Sequence, residues 1–196
     1  MNRINRISQW ISLVFNPLFM APVFFLLMLL AEPSLPAQKK WLFLFITLLF
    51  SSFIPLGFLL ILQVKGKIHS IEIDRREKRI SPLLLGVLHF FIGFLLLTLL
   101  KAPPLISGLM FCYATNTFIV VMITIYWKIS LHAIGVSGPF AALLFQLGWQ
   151  AWPLGLIIPL VGVSRVILKK HTVMQVVAGT LIGLGSTSLQ IYLFFI

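Results

Sequence analysis

The chain consists mainly of long runs of apolar residues separated by short polar breaks. A helix that crosses a bilayer needs about 20 predominantly apolar residues, and seven stretches of the sequence approach that length. They are 9–31, 41–63, 83–100, 106–126, 131–149, 153–167 and 172–196. The pattern predicts an all-α fold, a polytopic membrane helix bundle of six to seven transmembrane helices.

The breaks between these stretches, such as 31–40 and 101–105, are short, and no repeat or low-complexity tract interrupts them. We therefore expect one integral membrane domain over 1–196. Asn16, Pro17 and Pro22 in the first stretch, with no small-residue cleavage site, favour a retained and kinked helix over a signal peptide. The least apolar stretch, 131–149, is expected inside the bundle, shielded from lipid.

The composition supports a membrane protein and narrows its chemistry. Hydrophobic residues make up 60% of the 196 positions and charged residues only 10%. The single cysteine, Cys112, excludes a disulfide framework and a zinc pattern. Asp74 is the only aspartate, whereas enzymes that hold magnesium need several carboxylates. We expect no metal and no cofactor.

The basic residues predict an orientation. With seven crossings, twelve of the fifteen lysines and arginines fall on the face that holds the amino terminus and the breaks near 64–82, 127–131 and 165–171. The positive-inside rule places that face in the cytoplasm of a multi-pass cell-membrane protein. Anionic lipid headgroups explain the net charge of +11, so no nucleic-acid partner is expected.

Three polar clusters lie on this face, and the first two are ambiguous. The run 71–82 is the longest charged segment and is compatible with a solvated loop. The segment 128–133 opens an apolar helix, where Ser130 is compatible with a helix cap and His132 with a structural histidine.

The third cluster is more specific. It contains Ser164, Arg165, His171 and Gln175, with Lys169 and Lys170 between. A basic membrane anchor accounts for the cations but gives no reason for His171. A guanidinium binds phosphate oxygens with two parallel hydrogen bonds, and an imidazole acts as nucleophile, acid or base near neutral pH. This cluster indicates phosphate chemistry at a membrane surface.

Taken in order, the three clusters resemble the signature motifs of the type 2 phosphatidic acid phosphatase family of membrane lipid phosphatases. The third family motif is serine-arginine, five residues, histidine, three residues and aspartate. Ser164, Arg165, His171 and Gln175 keep both intervals but replace the aspartate. The resemblance covers about 65–180.

The other two motifs are degenerate. The second, proline-serine-glycine-histidine, is reduced to Ser130 and His132. The first, a lysine followed by arginine-proline, leaves Arg79 three residues before Pro82, with Glu72 where the lysine would stand.

The resemblance implies a phosphoric monoester hydrolase. His171 would attack phosphorus to give a phosphohistidine, and His132 would protonate the leaving lipid alkoxide and then activate water. Gln175 would orient His171. The remaining residues would bind phosphate or the headgroup: Arg165, Arg79, Arg75, Arg76, Ser130, Ser164 and Lys128.

Gln175 is the departure with the clearest consequence. Its amide oxygen accepts a ring N–H but supplies no negative charge, and a lost charge-assisted hydrogen bond costs about 1.5–3 kcal/mol. This predicts a slower metal-independent phosphatase acting on phosphatidate, phosphatidylglycerophosphate or a polyprenyl phosphate or diphosphate. The alternative is a non-catalytic lipid-phosphate binding protein, carrier or flippase.

Overall fold

The computed structural model describes residues 2–196, and helices are the only regular elements in that range. This confirms the all-α fold class. The α-helices, in chain order, are α1 Arg3–Val14, α2 Pro17–Leu30, α3 Ala37–Leu48, α4 Ile54–Val64, α5 Ile80–Leu99, α6 Pro104–Tyr126, α7 Leu131–Leu147, α8 Trp152–Gly155, α9 Ile157–Ile167 and α10 Val173–Phe194.

Within residues 2–196, five helical stretches are long and apolar enough to cross a membrane, and the pair α1 and α2 makes a sixth if it counts as one span. The chain is therefore a multi-pass membrane protein. A π-helical segment, Leu49–Phe53, joins α3 to α4 so that Ala37–Val64 runs on as one stretch. The predicted segment 153–167 is the exception, since α9 has only 11 residues and spans about 16 Å.

The kink predicted in the first segment is present as a break. Pro17 begins α2, and the Asn16 side chain accepts a hydrogen bond from the Leu18 amide at 3.0 Å, which is an N-cap. The axes of α1 and α2 differ by 54°. Consequently α1 leaves the axis of the first span and packs against α9, with Ser8 and Ser12 on its buried face.

Helix α7 lies in the interior, as its polar residues predicted. Of its span, 61% is buried, the largest share among the five candidate spans. Ser130 caps this helix by accepting a hydrogen bond from the Ala133 amide. Three small residues at four-residue intervals on α10, Gly179, Gly183 and Thr187, are buried and let α10 approach α7 closely.

A polar network also joins α6 to α10 inside the bundle. The Asn116 amide donates to Thr187 Oγ1 at 2.8 Å and accepts from Ser186 Oγ at 2.7 Å and Gln190 Nε2 at 3.1 Å. In an apolar setting such groups need partners from neighbouring helices. The network therefore fixes α6 against the last helix.

We predict that Gly183→Ala destabilises the protein. A Cβ at this position would lie 2.0 Å from Ser137 Oγ and 3.0 Å from the Gly138 amide nitrogen. Overpacking of this kind costs about 1–3 kcal/mol, more than the roughly 1 kcal/mol that alanine gains over glycine in a helix. The melting temperature of the detergent-solubilised protein should fall.

Gly185→Ala is the matched control, because it lies in the same helix and an added Cβ meets nothing within 4 Å. Its melting temperature should stay level or rise. A Gly183→Ala protein as stable as the parent would contradict the close α7–α10 contact.

Candidate functional site

Four of the candidate site residues from the sequence line one cavity of about 210 Å³ at one end of the bundle. They are Arg79, His132, Arg165 and His171. They come from the 3-10 turn just before α5, the start of α7, the end of α9 and the turn before α10. The three sequence clusters therefore meet in space.

Arg165 is the most deeply buried of these cations. Only 1% of its surface is exposed. Its Nη1 donates to Ser12 Oγ and forms an ion pair with Glu72 Oε1. A buried guanidinium is tolerated when partners of this kind compensate the loss of water. Arg165 thus ties α1 and the 65–75 loop to the end of α9.

Arg79 is held by backbone oxygens. It is 6% exposed, Nε donates to the Ile73 carbonyl at 2.6 Å, and Nη1 donates to the Ile129 carbonyl at 3.3 Å. Two loops thereby fix the guanidinium beside the cavity. Neutral carbonyl partners leave its positive charge unpaired.

A Schellman motif at the end of α9 explains the five-residue interval between Arg165 and His171. Lys169 adopts the left-handed conformation (φ 55°) that usually selects glycine. The Arg165 carbonyl accepts from the Lys170 amide at 3.1 Å and from the His171 amide at 3.3 Å. Thr172 then caps α10, with Gln175 completing a capping box. The backbone turn therefore returns His171 to the end of the helix that carries Arg165.

Gln175 fixes the tautomer of His171. Its Oε1 lies 3.0 Å from His171 Nδ1 and 3.2 Å from the Thr172 amide nitrogen. A carbonyl oxygen only accepts, so Nδ1 carries the ring hydrogen and Nε2 keeps a free electron pair. Burial, followed by the positive charge of Arg79, lowers the pKa of His171 to about 3. The ring is neutral near pH 7.

His132 presents its Nε2 to α1. That nitrogen lies 3.1 Å from the Ser12 carbonyl oxygen, 3.5 Å from Ser12 Oγ and 3.9 Å from Glu72 Oε1. Because the carbonyl is an acceptor, Nε2 carries a hydrogen. The two histidines therefore differ: one has a bare Nε2 and the other a protonated one.

The other candidate residues lie outside the cavity lining. The hydroxyl of Ser164 donates to the Val161 carbonyl at 2.7 Å, and that of Ser130 caps α7. Arg76 pairs with Glu77, and Arg75 is exposed. Lys128 is half-buried, and burial followed by the charge of Arg79 lowers its pKa. Their predicted phosphate contacts stay predictions.

Sequence reasoning missed Ser12 as a site residue and interpreted Glu72 as part of a solvated loop and as a departure from a motif. Ser12 follows Ser8 by one helical turn on the buried face of α1, which is the only local signal of an inward role. Nothing near Glu72 in the sequence indicates its partner. The loop is fastened separately by Lys170, whose Nζ lies 2.8 Å from Asp74 Oδ2.

Beyond the charged end, the cavity continues between α2, α5, α6 and α7 and becomes apolar. Its walls there include Ala21, Leu83, Phe90, Leu109 and Val120, with Asn116 and Thr187 from the interior network. The site therefore combines a cationic end with a hydrocarbon-like interior. Among residues 2–196, no three His, Cys, Asp or Glu side chains are grouped to hold a metal ion.

No family model, curated protein or solved structure matches this chain.

We predict that His171 stays neutral, with its hydrogen on Nδ1, down to about pH 5. The nitrogen shifts of labelled imidazole in detergent micelles measure both properties, and His171→Gln identifies the signal by removing it. In the unfolded chain the same ring takes up a proton near its ordinary pKa of 6.5. Stability from neutral His171 is therefore present above pH 6.5 and lost as the pH falls toward 3. A folded-state midpoint near 6.5 would contradict the buried site.

Proposed function

We propose that this chain is a membrane-bound phosphoric monoester hydrolase that removes phosphate from a lipid phosphate, as in the type 2 phosphatidic acid phosphatase family. One observation carries the proposal: two buried arginines and two histidines with different tautomers line a cavity that becomes apolar away from them. Arginine forks suit phosphate oxygens. An apolar extension suits the hydrocarbon of the same substrate molecule.

In the proposed reaction His171 Nε2 attacks phosphorus, and the N–P bond forms as the bond to the lipid oxygen breaks. His132 takes up the proton that a monoanionic substrate brings and gives it to the departing oxygen. Water then attacks the phosphohistidine and passes a proton to His132, which returns it to the departing phosphate, so that both rings regain their starting states. Arg79 and Arg165 would stabilise the charge on the phosphoryl oxygens in both steps.

Phosphatidate, phosphatidylglycerophosphate and polyprenyl phosphates or diphosphates share the chemistry that this site would bind. In each, a phosphate is attached to a hydrocarbon body. We propose that the site faces the cytoplasm, because the helix ends and breaks predicted on its side of the membrane hold twelve lysines and arginines against three on the other side.

A second candidate function is non-catalytic binding or transport of a lipid phosphate. Gln175 favours it, because His171 is held by an uncharged amide rather than a carboxylate. The two histidines weigh against it, since phosphate binding alone requires neither a free Nε2 nor a proton donor. Formation of a phosphoenzyme separates the two functions.

We predict phosphate release from at least one lipid phosphate by the purified protein in excess chelator. Rapid quenching of the reaction with labelled substrate in alkaline detergent should trap an acid-labile, base-stable phosphoenzyme. His171→Ala should abolish both signals and retain lipid binding, since it removes the nucleophile and leaves the arginines. Turnover that strictly requires magnesium, or full activity of His171→Ala, would refute the mechanism.

We predict that Gln175→Asp raises kcat with little change in affinity, because a carboxylate one turn after His171 would stabilise the imidazolium that leaves phosphorus. The gain should be about tenfold, the lower part of the range for one charge-assisted hydrogen bond. Gln175→Ala is the paired variant and should lower kcat, because Nδ1 loses its acceptor. Equal rates for both variants and the parent would show that Gln175 does not act on the nucleophile.

A further inference from the structure

Glu72 brings a negative charge into contact with the most buried cation of the site. Its Oε1 pairs with Arg165 Nη1 and lies 3.9 Å from His132 Nε2. The residue lies in a loop without regular secondary structure, and its side chain is 32% exposed. The carboxylate thus takes up a guanidinium N–H group that a bound phosphate would otherwise use.

The charges around the cavity can be counted. Arg79 and Arg165 contribute two positive charges and Glu72 one negative charge, while His171 is neutral and His132, hydrogen-bonded to the neutral Ser12 carbonyl, is counted as neutral in the free site. Lys170 is compensated by Asp74 in an ion pair outside the lining. The lining therefore carries a net charge of about one. A dianion would leave one negative charge uncompensated in a buried site, which is unfavourable.

Building on the proposed phosphate site, we propose that Glu72 determines the charge of the phosphate group that the site accepts. The preferred ligand carries a single negative charge. It is either a phosphomonoester that has kept one proton or a phosphodiester. A fully ionised monoester binds only against the repulsion of the Glu72 carboxylate.

Binding should depend on pH because the second pKa of a phosphate monoester is about 6. As the pH falls through that value the monoester becomes a monoanion and should bind more tightly, whereas a diester has no such ionisation. Asp74 does not titrate in this range, because its hydrogen bond to Lys170 lowers its pKa. The other charged or titratable groups near the phosphate position are Lys128, His132, Arg165, Lys170, His171 and Arg79.

Glu72 also has room to accept a neutral replacement. Besides the phosphate cavity, it lines a second cavity of about 560 Å³ formed with α1, Leu56 and Leu168. Glu72→Gln keeps the shape of the side chain and removes only its charge. Glu72→Asp keeps the charge on a shorter side chain.

The test compares dodecyl phosphate with dodecyl methyl phosphate, a monoester and a diester with the same chain. Dissociation constants are measured on His171→Ala protein, which does not turn the ligand over, between pH 5.5 and 8. At pH 8 the diester should bind at least about tenfold more tightly than the monoester, as expected for one unscreened like charge near the phosphate. Lowering the pH to 5.5 should remove most of that difference.

In the same background, Glu72→Gln should strengthen monoester binding at pH 8 by about tenfold or more and flatten its pH dependence. Glu72→Asp should keep the preference for the diester. Glu77→Gln is the matched control, because this exposed carboxylate pairs with Arg76 outside the cavity lining. It should change neither constant.

Equal affinities for the two ligands at pH 8, or a Glu72→Gln protein that binds the monoester no better, would overturn the proposal. So would failure to bind either ligand at any pH. The pH series on protein that retains Glu72 tests the idea even if Glu72→Gln does not fold. The phosphatase proposal fails on a separate measurement, the absence of turnover by the unsubstituted protein, while the charge preference stands on binding alone.

Discussion

The arrangement of the site depends on the burial of one guanidinium. Arg165 is placed inside a bundle that offers little water, and its charge is compensated by a hydroxyl and a carboxylate from distant parts of the chain. Removal of one partner from a buried ion pair typically costs about 3–5 kcal/mol. This requirement draws the amino-terminal helix and the loop after α4 toward the same end of α9. The cavity is the space that these segments enclose.

The two histidines of the site have neighbours of different charge. The neutral Gln175 amide orients His171, whereas the only carboxylate in the cavity lining approaches His132. His171 is neutral beside its amide partner, and His132 presents its Nε2–H to the Ser12 carbonyl. In the proposed reaction, this difference would let one ring attack phosphorus and the other transfer a proton. The difference between the two rings follows from their hydrogen-bond partners, Gln175 for His171 and the Ser12 carbonyl for His132.

Features that depend on neighbours in sequence were predictable, and those that depend on distant pairs were not. Apolar runs located the helices because a helix that crosses a bilayer needs consecutive apolar residues. The interval from Arg165 to His171 is a helix-terminating turn, and the next interval to Gln175 is one helical turn, so both are local geometry.

By contrast, the contact between Arg165 and Ser12 joins residues 153 positions apart. No periodicity or motif encodes such a pair, because it results from how α1 packs on α9. The same reason hid the partner of Glu72. In the sequence this residue stands out because it is a glutamate where the motif has a lysine. The structure shows that its loop brings the carboxylate to Arg165.

The 54° break between α1 and α2 lets α1 contact α9, and this contact has a consequence for biosynthesis. The ribosome makes the serine of α1 well before the arginine that it contacts, because 153 positions separate the two residues. The hydroxyl and carboxylate partners are therefore already in the membrane before their cation exists. A chain that stalls before α9 has Arg79 but not Arg165, so the buried ion pair forms only after α9 has been made.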